Sequence, residues 1–167
     1  MKSKFSELVN YFERLAATHV KIKHSDQEKH FFRFELEEML TGMRSNVNYP
    51  AIILEGYDFN FIDCDSDNVH KKINCAFMII GKVSDKGDFD AIHDLWDQLE
   101  EIGDEIIIRI LSDKRERTED CLDYFHAKSV SVAPLADVNL IHYGFRYEFQ
   151  LSWAIANDIN PGAWESA

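Results

Sequence analysis

The stretch Tyr143-Gly144-Phe145-Arg146-Tyr147-Glu148-Phe149-Gln150-Leu151-Ser152-Trp153-Ala154-Ile155 decides the fold. Phe145, Tyr147, Phe149, Leu151, Trp153 and Ile155 take every second position, and Arg146, Glu148, Gln150 and Ser152 fall between them. Successive side chains of an extended chain point to opposite faces, so this pattern makes one apolar and one polar face. The spacing predicts a half-buried antiparallel strand over residues 144–155.

Such a strand needs a sheet beside it and a layer over its apolar face. In residues 73–83, Cys75, Phe77 and Ile79 alternate with Ala76, Met78 and Ile80, apolar on both faces, which predicts a central strand. A turn follows at Ser84-Asp85-Lys86-Gly87-Asp88. Phe89, Ile92, Leu95, Trp96, Leu99 and Ile102 then form the apolar stripe of a helix. Gly103 marks an end or a kink, and residues 105–111 continue as a second helix or an extended segment. Residues 51–54 are a short apolar run, and Tyr57, Phe59 and Phe61 alternate with Asp58 and Asn60. These predict strands around a turn at Glu55-Gly56. Val130 and Val132 alternate with Ser129 and Ser131 as an edge-like strand.

Nearer the N-terminus, Phe5, Leu8, Val9, Phe12 and Leu15 have helical spacing, with Ser3 as candidate N-cap. Residues 18–24 read as an extended link because Val20 and Ile22 alternate. Ser25-Asp26-Gln27-Glu28 has the form of a capping box. It opens either a helix through Phe31, Phe32, Leu36, Met39 and Leu40, or a short strand over residues 30–34 with a helical turn running to Met43. Tyr49-Pro50 ends that segment. Residues 115–127 are polar and predict a loop with some helix. The class is therefore α+β: a mostly antiparallel sheet of about four to five strands packed against two or three helices. Residues 1–160 form a single domain, and residues 161–167 a loose tail in which Trp164 is a candidate anchor.

Bulk properties narrow the function. The chain has 167 residues, 46% hydrophobic and 13% aromatic, enough for one core without disulfides. Eighteen Lys and Arg stand against 30 Asp and Glu, a net charge of −12. That balance opposes nucleic-acid binding, which depends on cations displacing the counterions of phosphates. The nearest basic run, Lys114-Arg115-Glu116-Arg117, contains an acid and reads as a solvated helix end. Met1-Lys2-Ser3-Lys4-Phe5 is not followed by the apolar core of a signal peptide. No apolar segment approaches the roughly 18 residues of a membrane span. Cys64, Cys75 and Cys121 form no C-x-x-C and read as buried or idle thiols in a reducing compartment.

Candidate sites fail on chemistry. Asp63-Cys64-Asp65-Ser66-Asp67-Asn68 begins like a calcium loop, but Asn68 replaces the glycine of the sharp turn and Asn74 the bidentate glutamate. A solvated acidic loop fits better. His24 and His30 are six apart, wider than usual zinc spacing, and His93 beside Asp94 and Asp97 reads as a surface residue. No G-x-S-x-G, P-loop or G-x-G-x-x-G occurs. In a chain this acidic, carboxylate pairs arise by chance. No residue is assigned a catalytic, cofactor-binding or metal role, and the chain is not expected to be an enzyme. The candidate interface or lumen residues are Arg146, Glu148, Gln150 and Ser152 on the strand, with Asp63, Asp65 and Asp67 on the loop.

The order of the pieces carries a resemblance. An N-terminal helix precedes "NYPAIILEGYDF", then "INCAFMIIGKV", then "DFDAIHDLWDQLEEIGDEIIIRIL", and "YGFRYEFQLSWAI" comes last. Over residues 3–157 this resembles the tail terminator (tail completion) proteins of tailed phages and related contractile injection particles. Residues 24–48 and 112–128 match least, and no functional residue transfers by motif. The resemblance implies a small α+β subunit of a ring, usually a hexamer, on the head-proximal end of the tail tube. Its implied partners are itself, the tail tube protein and a neck or head-completion protein. It implies no cofactor, no membrane, and DNA passing through the ring without sequence-specific binding. The implied location is the virion, assembled in the host bacterial cytoplasm. The alternatives are another head–tail connector, or a small ligand-binding domain or enzyme, which would show a concave pocket with convergent polar groups.

Overall fold

The computed structural model describes residues 5–33, 47–63, 69–137, 141–155 and 162. Helix α1 spans Phe5–Thr18, followed by strands β1 (Phe31–Arg33), β2 (Ala51–Leu54), β3 (Asp58–Asp63) and β4 (Val69–Lys82). Helix α2 spans Phe89–Glu116, a 3-10 turn covers Asp120–Leu122, and β5 (His126–Asp137) and β6 (His142–Ala154) follow. The class is α+β, with two helices and a mixed sheet of six strands among the described residues. The sheet runs β1-β2-β4-β6-β5, with β3 also on β4. The β1–β2 pair is parallel and every other pair antiparallel. One strand more than expected is present because residues 31–33 pair with β2.

Strand β6 is the half-buried antiparallel strand expected. It pairs with β4 along its whole length and with β5 on its other edge. Strand β4 is central and buried on both faces from Cys75 to Ile80. Phe77 stacks on Tyr147 with centroids 4.9 Å apart, and Phe12 of α1 lies 5.2 Å from Phe77. Leu99, Ile102, Ile106 and Ile110 of α2 complete this core. Each buried side chain of this size contributes about 1.5–3 kcal/mol, so the helix layer holds the sheet by one face. A smaller cluster, Phe32, Ala51, Ile53, Met78 and Ile80, packs on the opposite face at one end, with Val47, Tyr49 and Leu135 against it.

Several expectations change. Residues 89–116 form one helix of 28 residues, about 42 Å long, with no break at Gly103. Asp88 Oδ1 accepts the Ala91 N–H at its start, and Arg117 closes its end in the left-handed region at φ 53°. Phe89 leaves the apolar stripe and is 69% exposed. Residues 18–24 end α1 and turn, and do not form an extended link: the N–H groups of Ile22 and Lys23 return to the His19 carbonyl and that of His24 to Ala16. Ile22 is buried, while Val20 is 75% exposed. Of the two readings after Ser25, the strand at Phe31–Arg33 forms. Ser25 Oγ still accepts the Glu28 N–H, but in a bend ahead of that strand. Strands β2 and β3 do not make a hairpin around Glu55-Gly56. They lie end to end on one edge of β4, whose 14 residues seat both. The polar segment 115–127 holds buried Cys121, Leu122 and Phe125, and Trp153 Nε1 donates to the Cys121 carbonyl at 3.0 Å. Strand β5 lies at the sheet edge as expected, but runs further in both directions.

Ser3, the helical readings through Leu36, Met39, Leu40 and Met43, Cys64, and the tail with Trp164 lie outside the described residues. Among the described residues, no helix is long and apolar enough to cross a membrane.

Candidate functional site

The alternation along β6 aims Arg146, Glu148, Gln150 and Ser152 away from the helices. Opposite them on β4 stand Met78, Ala76, Asn74 and Lys72, and Ala133 and Ser131 of β5 face Arg146 and Glu148. No helix among the described residues packs on the middle of this face. It forms a concavity of about 370 Å³ lined by Glu55, Asp58, Asn74, Ser129, Arg146, Glu148 and Gln150, with parts of Cys75, Ala76 and Phe149 as its floor.

Its polar groups are wired together. Arg146 Nε donates to Glu55 Oε1 at 2.6 Å and Nη2 to Glu55 Oε2 at 2.9 Å, a two-pronged pair across 91 residues. Arg146 Nη1 donates to Glu148. The bond to Glu55 is the main cause that pushes the guanidinium above its ordinary value and keeps it cationic. Gln150 Nε2 donates to Asn74 Oδ1 at 3.0 Å, and Asn74 Nδ2 to Asp58 Oδ1 at 2.6 Å. Ser129 Oγ accepts the Gln150 N–H at 2.8 Å and donates to the His126 carbonyl. Three carboxylates thus face one guanidinium, a formal excess of two negative charges.

Neither nucleophile type here is activated. Ser129 is committed to backbone groups, and burial, then the charges of Asp58 and Cys121, push the Cys75 thiol up. The arrangement can recognise a cationic or hydrogen-bonding group.

Of the residues read from sequence, Arg146, Glu148 and Gln150 meet in this groove. Ser152 stands one step beyond, 2.8 Å from His126 Nε2. Asp63 ends β3 opposite Val69. Asp65 and Asp67, with the rest of the calcium-like loop, lie outside the described residues. Glu55, Asp58, Asn74 and Ser129 were not picked out from sequence. Asn74 carried a signal, as the polar residue within Ile73-Asn74-Cys75-Ala76-Phe77.

His24 and His30 serve the fold. His24 Nδ1 accepts the N–H groups of His30 and Phe31, and His30 Nδ1 lies 2.7 Å from the Pro50 carbonyl. His93 is exposed. Residues 114–117 end α2 as expected, although Lys114 Nζ turns inward onto the Phe125 carbonyl at 2.6 Å.

The outer edge of β5 carries two features that discourage open-ended strand pairing: a register shift between His126 and Ser131, and Pro134, which has no N–H to offer. Contacts made by side chains on the open face are therefore favoured over strand addition. The chain matches no protein-family model and no curated protein.

Proposed function

We propose that this chain is a structural, ring-forming subunit of the tail-terminator type, capping a tail tube and joining it to a neck or head. The observation that carries the reading is the placement of the groove: both helices among the described residues pack on one face of the sheet, and the charged groove opens on the other. The element order is the one on which the family resemblance rests. A head-to-tail contact between such faces closes a ring when its rotation closes. The acidic balance suits a passive channel, since a field of like charges opposes gripping of phosphates. The test is native mass spectrometry and electron microscopy of the chain with its tube protein. A strictly monomeric chain that neither caps nor binds tubes sinks the proposal. Another neck position follows the same subunit logic, and the place occupied in an imaged particle separates the two.

The groove itself favours a second reading, a small ligand-binding domain. Its volume of about 370 Å³ lies within the range of small-molecule sites. Against it, Glu55 and Arg146 hold each other through two bonds, and Gln150 donates to Asn74, so these four groups are already engaged. Saturable calorimetric binding of a small cation to the monomer, lost in Glu148→Gln, would favour this reading over the ring.

A further inference from the structure

We infer that the groove on the open sheet face receives the Arg115–Arg117 turn of a second copy of this chain. This rests on the ring reading above and names its contact. The groove holds two more negative charges than positive ones. Arg146 is turned inward, onto Glu55 and Glu148. Asp58 uses one oxygen to accept from Asn74, and the Glu148 side chain is 54% exposed. The concavity thus has unmet demand for a cation.

The end of α2 supplies one of matching kind. Arg14, Arg109 and Arg146 are held in ion pairs. Arg115 and Arg117 are exposed and have no ion pair or side-chain hydrogen bond among the described residues. Arg33, the other such arginine among the described residues, is a single cation at the end of β1. The Arg117 N–H bonds the Asp113 and Lys114 carbonyls, which fixes the turn that presents both guanidiniums. A planar guanidinium fits a carboxylate through two parallel bonds.

The sheet decides that the contact is between copies. Helix α2 packs on the face bearing Phe77, Tyr147 and Phe149, and the groove opens on the other face. A chain cannot fill its own groove with its own turn. Each copy offers one groove and one turn, and under the ring reading the turn of one copy enters the groove of the next, head-to-tail. Exposed ion pairs are individually weak, so these set register and exclude wrong docking while the surrounding surface supplies area.

The experiment is native mass spectrometry and sedimentation of the full chain at low and high salt. The variants are R115E/R117E, D58K/E148K, their combination, and the milder R115Q/R117Q on the exposed turn. Circular dichroism checks that each is folded. We expect wild type to assemble, more weakly at high salt. Each one-sided reversal weakens assembly about tenfold or more, and the combination recovers it. Folded one-sided reversals and R115Q/R117Q that assemble like wild type overturn the groove assignment and leave the ring standing. So does a folded combination that stays monomeric. A wild type that is monomeric alone and with tube protein overturns both.

Discussion

Tyr11 Oη donates to Asp113 Oδ2 at 2.9 Å, joining α1 to the end of α2 across 102 residues. Asp113 is only 4% exposed, and its other donor is Arg109 Nε on the same oxygen, one helical turn earlier. Burial first, then this bond, push the Tyr11 hydroxyl well above its ordinary value. Tyr11→Phe removes one donor from a buried carboxylate and is expected to cost about 1–3 kcal/mol. Asp113→Ala leaves the Tyr11 hydroxyl without its acceptor and should cost at least as much. Urea unfolding measures both. A Tyr11→Phe midpoint equal to wild type would show that water replaces the tyrosine without loss.

Gly103 lies inside a helix because Tyr147 needs its place. A Cβ built there would collide with the Tyr147 hydroxyl and the ring carbon that bears it, and that hydroxyl donates to the Glu100 carbonyl at 3.3 Å. Gly→Ala inside a helix ordinarily gains about 1 kcal/mol. Here Gly103→Ala should instead destabilise, by about 1–3 kcal/mol of overpacking. Tyr147→Leu should relieve part of that, so the double variant is less destabilised than the sum of the singles. Additive costs in a thermal-unfolding cycle would contradict the pairing.

The same glycine shows what was legible in the sequence. Strands β4 and β6 were readable because local periods of two and burial on both faces are written along contiguous residues. Gly103 read as a break, since the side chain that explains it lies 44 positions away in sequence. Strands β2 and β3 were readable as strands, but not as end-to-end neighbours on β4, because partner choice is a long-range matter. The site divides the same way. Arg146, Glu148 and Gln150 followed from alternation along one strand. Glu55, Asp58, Asn74 and Ser129 arrive from other parts of the chain and meet them only through sheet order.

The buried thiols give a prediction independent of assembly. Cys75 and Cys121 are free and buried. Burial, then Glu119 and Glu7, push the Cys121 thiol up to about 12. A protonated thiol is a poor nucleophile. In a Cys64→Ser background, a disulfide reagent at neutral pH should label neither cysteine in the folded chain, and both at once in urea. Rapid labelling of the native protein would mean that the core around Phe149 opens far below the global unfolding energy.

His24 makes the acid side of the stability curve testable. Its Nδ1 accepts two backbone N–H groups, from His30 at 3.1 Å and Phe31 at 3.2 Å, so this nitrogen must be unprotonated in the fold. The proton then sits on Nε2, which lies 3.8 Å from Glu13. Loss of solvation pushes the ring below its ordinary value, His30 and Lys29 add to this, and Glu13 and Asp26 oppose it. The unfolded chain therefore takes up the proton first as pH falls. The contribution is full above the unfolded value of 6.5 and is lost as pH drops through the lower folded value. His24→Ala should cost about 1–3 kcal/mol at neutral pH, since two backbone donors lose their acceptor. It should also flatten the fall in stability on that acid side. Parallel wild-type and variant curves of urea midpoint against pH would assign the acid loss to other groups. Convergence of the two curves at low pH is the expected result, because protonated His24 no longer accepts either bond.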